Sequence, residues 1–242
     1  MTDLSYLDVR PIVAKIADLG RELVLVGGQA VNFWASYYEH RVQELALEAP
    51  FTSKDIDFCG DERTVRICAE RLGGKARVAT FDDATPNSGT VVFVDAAGVT
   101  RTLDVVSVPF GLDRDEVHAT AVPVEVLDEG GAVTGARFYV IHPVLSMESR
   151  VHNVIGLASS YDTEQGRKQL RASILCAREF LRDVLEGGMD ADDPVRIVMK
   201  LSERVFRFAT RDRDAKELYR IHPVCEARLY LARDVPPPLT GS

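Results

Sequence analysis

The sequence predicts an α/β chain with a mixed sheet over roughly residues 1–140, followed by an all-helical part over 141–242. Three observations carry that expectation. Apolar or alternating runs recur at Leu23–Val26, Lys54–Cys59, Ala76–Phe81, Thr90–Asp95 and Arg101–Val108. Helical periodicity or glycine turns separate them, the pattern of strands interleaved with helices. From His142-Pro143 onward the apolar period is helical almost to the end of the chain.

Taken in order, residues 6–19 read as a helix. Leu7, Ile12, Val13, Ile16 and Leu19 make its apolar face, and Gly20 is a natural stop. Leu23–Val26 is apolar throughout, as a strand buried on both faces is. Gln29 to about Leu47 reads as the next helix, with Phe33, Trp34, Tyr37 and Tyr38 near its start, suited to core packing before base stacking. Asp61 is an N-cap for a helix that Gly73-Gly74 stops. Ala96-Ala97-Gly98 is a hairpin turn into the Arg101–Val108 strand. Val122, Val124 and Val126 alternate and are expected to pair with Ala136–Ile141 across Gly130-Gly131. Pro143 to Leu157, Gln165 to Leu185, Pro194 to Phe208 and Arg211 to Tyr219 read as helices. Asp193 caps the third of these, with proline at its first position. Pro236-Pro237-Pro238 marks a frayed tail.

Composition is that of an ordinary globular protein, with 46% hydrophobic and 27% charged residues among 242. No apolar run approaches a membrane span, and the start of the chain lacks the basic-then-apolar pattern of a signal peptide, so a cytoplasmic protein is expected. Cys59, Cys68, Cys176 and Cys225 have no C-x-x-C spacing and read as reduced thiols. The five histidines lack H-x-x-x-H spacing, and no serine sits in a nucleophile-elbow glycine pattern, so zinc and serine-hydrolase chemistry have no support. Net charge is −8, which predicts no general affinity for nucleic acid. The charge is uneven: residues 1–140 carry 13 Lys and Arg against 22 Asp and Glu, and residues 141–221 carry 14 against 13.

The stretch Leu23 to Phe58 organises the chemistry. Gly27-Gly28 follows a strand and opens a helix, where the backbone approaches a phosphate closely and helix N–H groups point outward. Asp55 and Asp57, one residue apart on a strand, project to one face while Ile56 and Phe58 enter the core. Two such carboxylates repel each other unless a cation lies between them, and Mg²⁺ favours carboxylate oxygens with substrate phosphates. Asp104 sits inside the apolar run Leu103–Val105, where an unpaired carboxylate is costly and needs a cation or donors.

This order of a Gly-Gly turn, a helix, a D-x-D strand and a later third carboxylate resembles the nucleotidyltransferase superfamily, the fold shared with DNA polymerase beta. Leu25-Val26-Gly27-Gly28-Gln29-Ala30 with Ser53-Lys54-Asp55-Ile56-Asp57-Phe58 looks most like the bacterial group that includes abortive-infection nucleotidyltransferase toxins. The resemblance covers roughly residues 20–110. It implies transfer of a nucleoside monophosphate from an NTP such as ATP to a hydroxyl of RNA, protein or a small molecule. It also implies two Mg²⁺ ions held by Asp55, Asp57 and Asp104, with Gly27 and Gly28 on the β- and γ-phosphates. In that group a basic motif opens the helical part. This chain departs from it, placing Arg150 where the lysine stands and Arg167 or Lys168 further on. Asp55, Asp57 and Asp104 are accordingly the expected catalytic and metal residues, and Gly27, Gly28, Arg150, Arg167 and Lys168 the expected nucleotide ligands. Two alternatives accompany this: a non-catalytic nucleotide- or partner-binding relative, and a toxin component held in check by an antitoxin protein.

Overall fold

The computed structural model describes residues 3–83, 85–127, 132–187 and 193–221. The Gly130-Gly131 connection, Gly188, His222, Cys225 and the Pro236-Pro237-Pro238 tail lie outside the described residues. Up to the middle of the chain the elements are α1 (Tyr6–Ile16), β1 (Val24–Leu25), α2 (Gly27–Tyr38), α3 (Gln43–Glu48), β2 (Ile56–Cys59), α4 (Glu62–Leu72), β3 (Lys75–Val78), β4 (Asn87–Val94) and β5 (Thr100–Val106). Then come α5 (Arg114–Thr120), β6 (Val122–Leu127), β7 (Val133–Val140), α6 (Pro143–Gly156), α7 (Ala158–Tyr161), α8 (Glu164–Leu185), α9 (Pro194–Arg211) and α10 (Arg213–Ile221).

The chain divides into two compact units. One joins the residues up to Phe33 with Pro50–His142; the other joins Trp34–Ala49 with the residues from Pro143 onward. This differs from a division into 1–140 and 141–242, because Trp34–Ala49 belongs with the later helices. Its side chains give the reason. Trp34 packs edge-on to Phe180 with ring centroids 6.1 Å apart, and Arg41 pairs with the buried Asp183 at 2.6 Å. The helix expected over Gln29–Leu47 breaks after Tyr38, where Arg41 turns to Asp183 and Glu186.

The first unit is built on a seven-stranded sheet in the order β3-β4-β5-β2-β1-β7-β6. It is mixed, as expected: β2 with β5 and β1 with β7 run parallel, and the remaining neighbours antiparallel. Ile56 and Phe58 of β2 and Leu103 and Val105 of β5 are at most 1% exposed, so one side of these strands is core. Each such side chain contributes about 1.5–3 kcal/mol through burial. The β4–β5 hairpin is pinned at its turn. The Asp95 carboxylate accepts the Ala97 and Val99 N–H groups at 2.9 Å each and pairs with Arg101 at 2.8 Å. Asp61 caps α4 by accepting the Thr64 N–H at 2.9 Å, and Gly73 ends it in the left-handed conformation.

Three details depart from the sequence pattern. The buried face of α1 is Val9, Ile12, Val13 and Ile16, while Leu7 is 70% exposed. Helix α5 occupies a stretch whose periodicity shows no helix; Asp113 caps it by accepting the Glu116 N–H. And β2 begins at Ile56, after a bend at Lys54, because Ser53 bridges to Leu4 instead of extending the strand.

The second unit packs α6 against α8, α9 and α10 around Met147, Val151, Leu170, Ile174, Val205 and Leu218. Its core also holds charge: both Nε and Nη2 of Arg204 donate to the buried Glu148 carboxylate at 2.7 Å. Among the described residues no helix is long and apolar enough to cross a membrane.

Candidate active site

The site grows from the pairing of β2 with β5. Parallel register sets Asp57 directly beside Asp104, between the buried pairs Ile56–Leu103 and Phe58–Val105. Register partners on neighbouring strands share a face, so the two half-buried aspartates project together away from the core side chains. Asp55 comes just before the strand, in the bend rather than in the regular pleat, and is exposed. Local desolvation, then the charge of Asp104, push the Asp55 carboxyl above its ordinary value, with Lys54 acting the other way. The Asp104 charge is therefore felt at Asp55.

The glycine turn meets the same carboxylates. Gly27 opens α2 at φ +64°, in the left-handed region. A Cβ placed on it would lie 2.1 Å from Asp57 Oδ2 and 2.8 Å from Asp57 Cβ. Only glycine lets the Asp57 side chain lie against the start of the helix. The Val26 N–H donates to the Asp57 carbonyl at 2.9 Å, tying turn and strand together. Behind them the buried Gln29 donates its amide to the Leu4 carbonyl at 3.1 Å, holding the first turn of α2 to the start of the chain. Gly28 is buried beside it.

A residue that the motif alone does not reveal joins this group. Thr90 of β4 is the register partner of Asp104, and its Oγ1 donates to Asp104 Oδ1 at 2.7 Å. The signal lies in the hairpin: counting outward from Ala97 at the turn pairs Thr90 with Asp104.

A divalent cation suits this donor set by chemistry, since the carboxylates of Asp55, Asp57 and Asp104 offer hard oxygen ligands. Among the described residues, however, no group of three or more His, Cys, Asp or Glu side chains closes to metal-binding range. The structure brings Asp57, Asp104 and Gly27 together and sets Asp55 within electrostatic reach.

The basic candidates lie in the second unit. Arg150, on α6, is 8% exposed; its Nη1 donates to Gln169 Oε1 at 3.2 Å, and its guanidinium lies 5.9 Å from the Tyr161 ring centroid. Arg167 pairs with Asp162 at 2.6 Å, and Lys168 is half-buried next to it on α8. The aromatics of α2 serve packing: Phe33 meets Tyr6 and Phe138 edge-on, and Trp34 and Tyr38 are buried. The buried Cys59 lies 3.6 Å from His118 Nε2, but desolvation pushes its thiol up to about 11, so it is no thiolate nucleophile at neutral pH.

No family model matches the chain, and no curated protein matches it. Among solved structures, the chain is similar to one described as an antigenic nucleotidyltransferase-like protein from Paracoccidioides brasiliensis. The identity is 12%, the match covers 72% of this chain and 78% of that chain, and the TM-score is 0.46.

Proposed function

We propose that the first unit is the catalytic part of a metal-dependent nucleotidyltransferase, which moves a nucleoside monophosphate from an NTP to a hydroxyl. The observation that carries this is the register of Asp57 beside Asp104, with Gly27 closed onto Asp57. Carboxylates held side by side on a half-buried face suit a site that a cation and a phosphate chain complete. Asp57 and Asp104, with Asp55 alongside, would hold Mg²⁺. The ion would offset the phosphate charge and acidify the attacking hydroxyl.

The chain's own residues supply the rest. Gly27 and Gly28 at the start of α2 allow a phosphate to approach the helix N-terminus, where N–H groups and the helix dipole favour an anion. The acceptor oxygen forms a bond to the α-phosphorus, the bond to the β-phosphate oxygen breaks, and pyrophosphate leaves. The hydroxyl proton passes to Asp104, whose Oδ1 is already held by Thr90.

The experiment is a thermal-shift measurement of the full chain with Mg²⁺, with a non-hydrolysable NTP, and with both. The reading requires that both together raise Tm more than the sum of each alone, and that Asp57→Asn/Asp104→Asn abolish the excess. An excess that survives in that variant would place the nucleotide elsewhere.

A further inference from the structure

Arg77 on β3 pairs with Thr90 on β4, Thr90 pairs with Asp104 on β5, and Asp104 pairs with Asp57 on β2. Partners in register share a face, so these four side chains form one row across the sheet: cation, hydroxyl, carboxylate, carboxylate. Beside the Arg77 end lies a pocket of about 240 Å³, walled by Arg77, Asp83, Thr85, Asn87, Gly89 and Thr90. Thr90 is both a wall of this pocket and the donor to Asp104 Oδ1 at 2.7 Å. The pocket is thus one strand, ~4.8 Å, from the candidate site.

The lining decides what fits. Arg77 supplies donors, Asp83 acceptors, and the Thr85 hydroxyl and Asn87 amide supply both. Arg77 and Asp83 pair at 3.3 Å, so their charges cancel. Among the described residues of the lining, the largest apolar side chain is that of Ala79. A volume of about 240 Å³ lies below the roughly 300–1,000 Å³ that drug-sized ligands occupy. A polyanion end is disfavoured, because residues 1–140 carry 13 basic against 22 acidic side chains.

We propose that this pocket seats the acceptor, and that the acceptor is a neutral, polyhydroxylated small molecule of about monosaccharide size. One of its hydroxyls reaches past Thr90 to Asp104, where the oxygen bonds to the α-phosphorus of the NTP, pyrophosphate departs and the proton goes to the Asp104 carboxylate. The proposal rests on the nucleotidyl-transfer reading above for the reaction, but the pocket's ligand class is testable without it.

The test is saturation-transfer NMR on the full chain with a panel of glucose, mannose, galactose, ribose and myo-inositol, at millimolar concentration and without nucleotide. Saturation transfer to at least one polyol is expected. It should fall about fivefold or more in Asn87→Ala and in Arg77→Ala, each at unchanged Tm, since each removes side-chain hydrogen bonds to the ligand. It should persist in Asp57→Asn, which removes a carboxylate outside the pocket. No transfer to any polyol, or transfer indifferent to both pocket variants, would overturn the proposal. So would NTP label appearing in RNA alone when total RNA and the panel compete. Polyol binding with the expected variant pattern, but no transfer of label from any NTP, would keep the ligand class and reject the nucleotidyl-transfer reading.

Discussion

Asp57 and Asp104 are direct register partners on neighbouring parallel strands, each flanked by side chains at most 1% exposed. Their proximity follows from the pleat: with Ile56, Phe58, Leu103 and Val105 committed to the core, the aspartates have only the other face to occupy. In metal-free buffer, Asp57→Asn is therefore expected to leave Tm unchanged or to raise it, because one of two mutually repelling charges is removed. Isothermal titration should show Mg²⁺ or Mn²⁺ affinity reduced at least about tenfold in the same variant. A variant that loses stability and keeps its metal affinity would make Asp57 a structural residue.

Gly27→Ala places a Cβ 2.1 Å from Asp57 Oδ2 in a left-handed backbone. The strain alone costs on the order of 1–3 kcal/mol, and the clash adds to it. Urea unfolding of Gly27→Ala, Asp57→Ala and the double variant should show that the second substitution relieves part of the first, a coupling of at least ~0.5 kcal/mol. Strict additivity would mean that the turn accommodates the methyl without touching Asp57.

His152 Nδ1 on α6 donates to Asp214 Oδ2 of α10 at 3.0 Å, and both side chains are largely buried. Burial alone would raise the Asp214 carboxyl, but the hydrogen bonds from His152 and Arg213 outweigh it and hold it below the ordinary carboxylate range. A carboxyl lowered in the folded state contributes stability above its unfolded value and loses it as pH falls through the folded one. Denaturant titrations should show stability falling below about pH 4 in the native chain, and a flatter acid limb in Asp214→Asn. An unchanged acid limb would remove Asp214 from the account.

Arg150 is buried against Gln169 and Tyr161, so its replacement tests packing and charge together. Arg150→Ala is expected to lower stability by about 1–3 kcal/mol, leaving buried polar groups with one partner fewer. If Arg150 also meets nucleotide, turnover measured well below the variant's Tm should fall roughly 10- to 100-fold, with part of it restored in Arg150→Lys. Full turnover at low temperature would confine Arg150 to holding α6 against α8.

Much of the first unit was legible because its strands are short apolar runs bounded by glycine or capped helices. The Ala96-Ala97-Gly98 turn, Asp61 and Gly73 stand where the residues indicate. Helix α5 was not legible, since only Val117 of its seven residues is buried and no apolar period forms. The break between α2 and α3 was hidden for a different reason: Arg41 leaves the helical path for Asp183, 142 residues later in the chain. Within the site, alternation along β2 sets Asp57 on the face opposite the buried Ile56 and Phe58. It does not extend to Asp55, because the Leu4–Ser53 bridge ends the preceding segment and bends the chain at Lys54. Thr90 and Arg77 became visible only through register, a relation between strands that a motif within one strand does not contain.

The central claim is tested most directly by following the label from each NTP carrying ³²P at the α- or the γ-phosphate, incubated with Mg²⁺, the native chain, and small-molecule, protein and RNA acceptors in separate reactions. The account predicts that α-label alone becomes attached to an acceptor, with pyrophosphate released in equal amount, and that Asp57→Asn and Asp104→Asn each abolish the transfer. Transfer of γ-label, or α-label transfer undiminished in both aspartate variants, would contradict it.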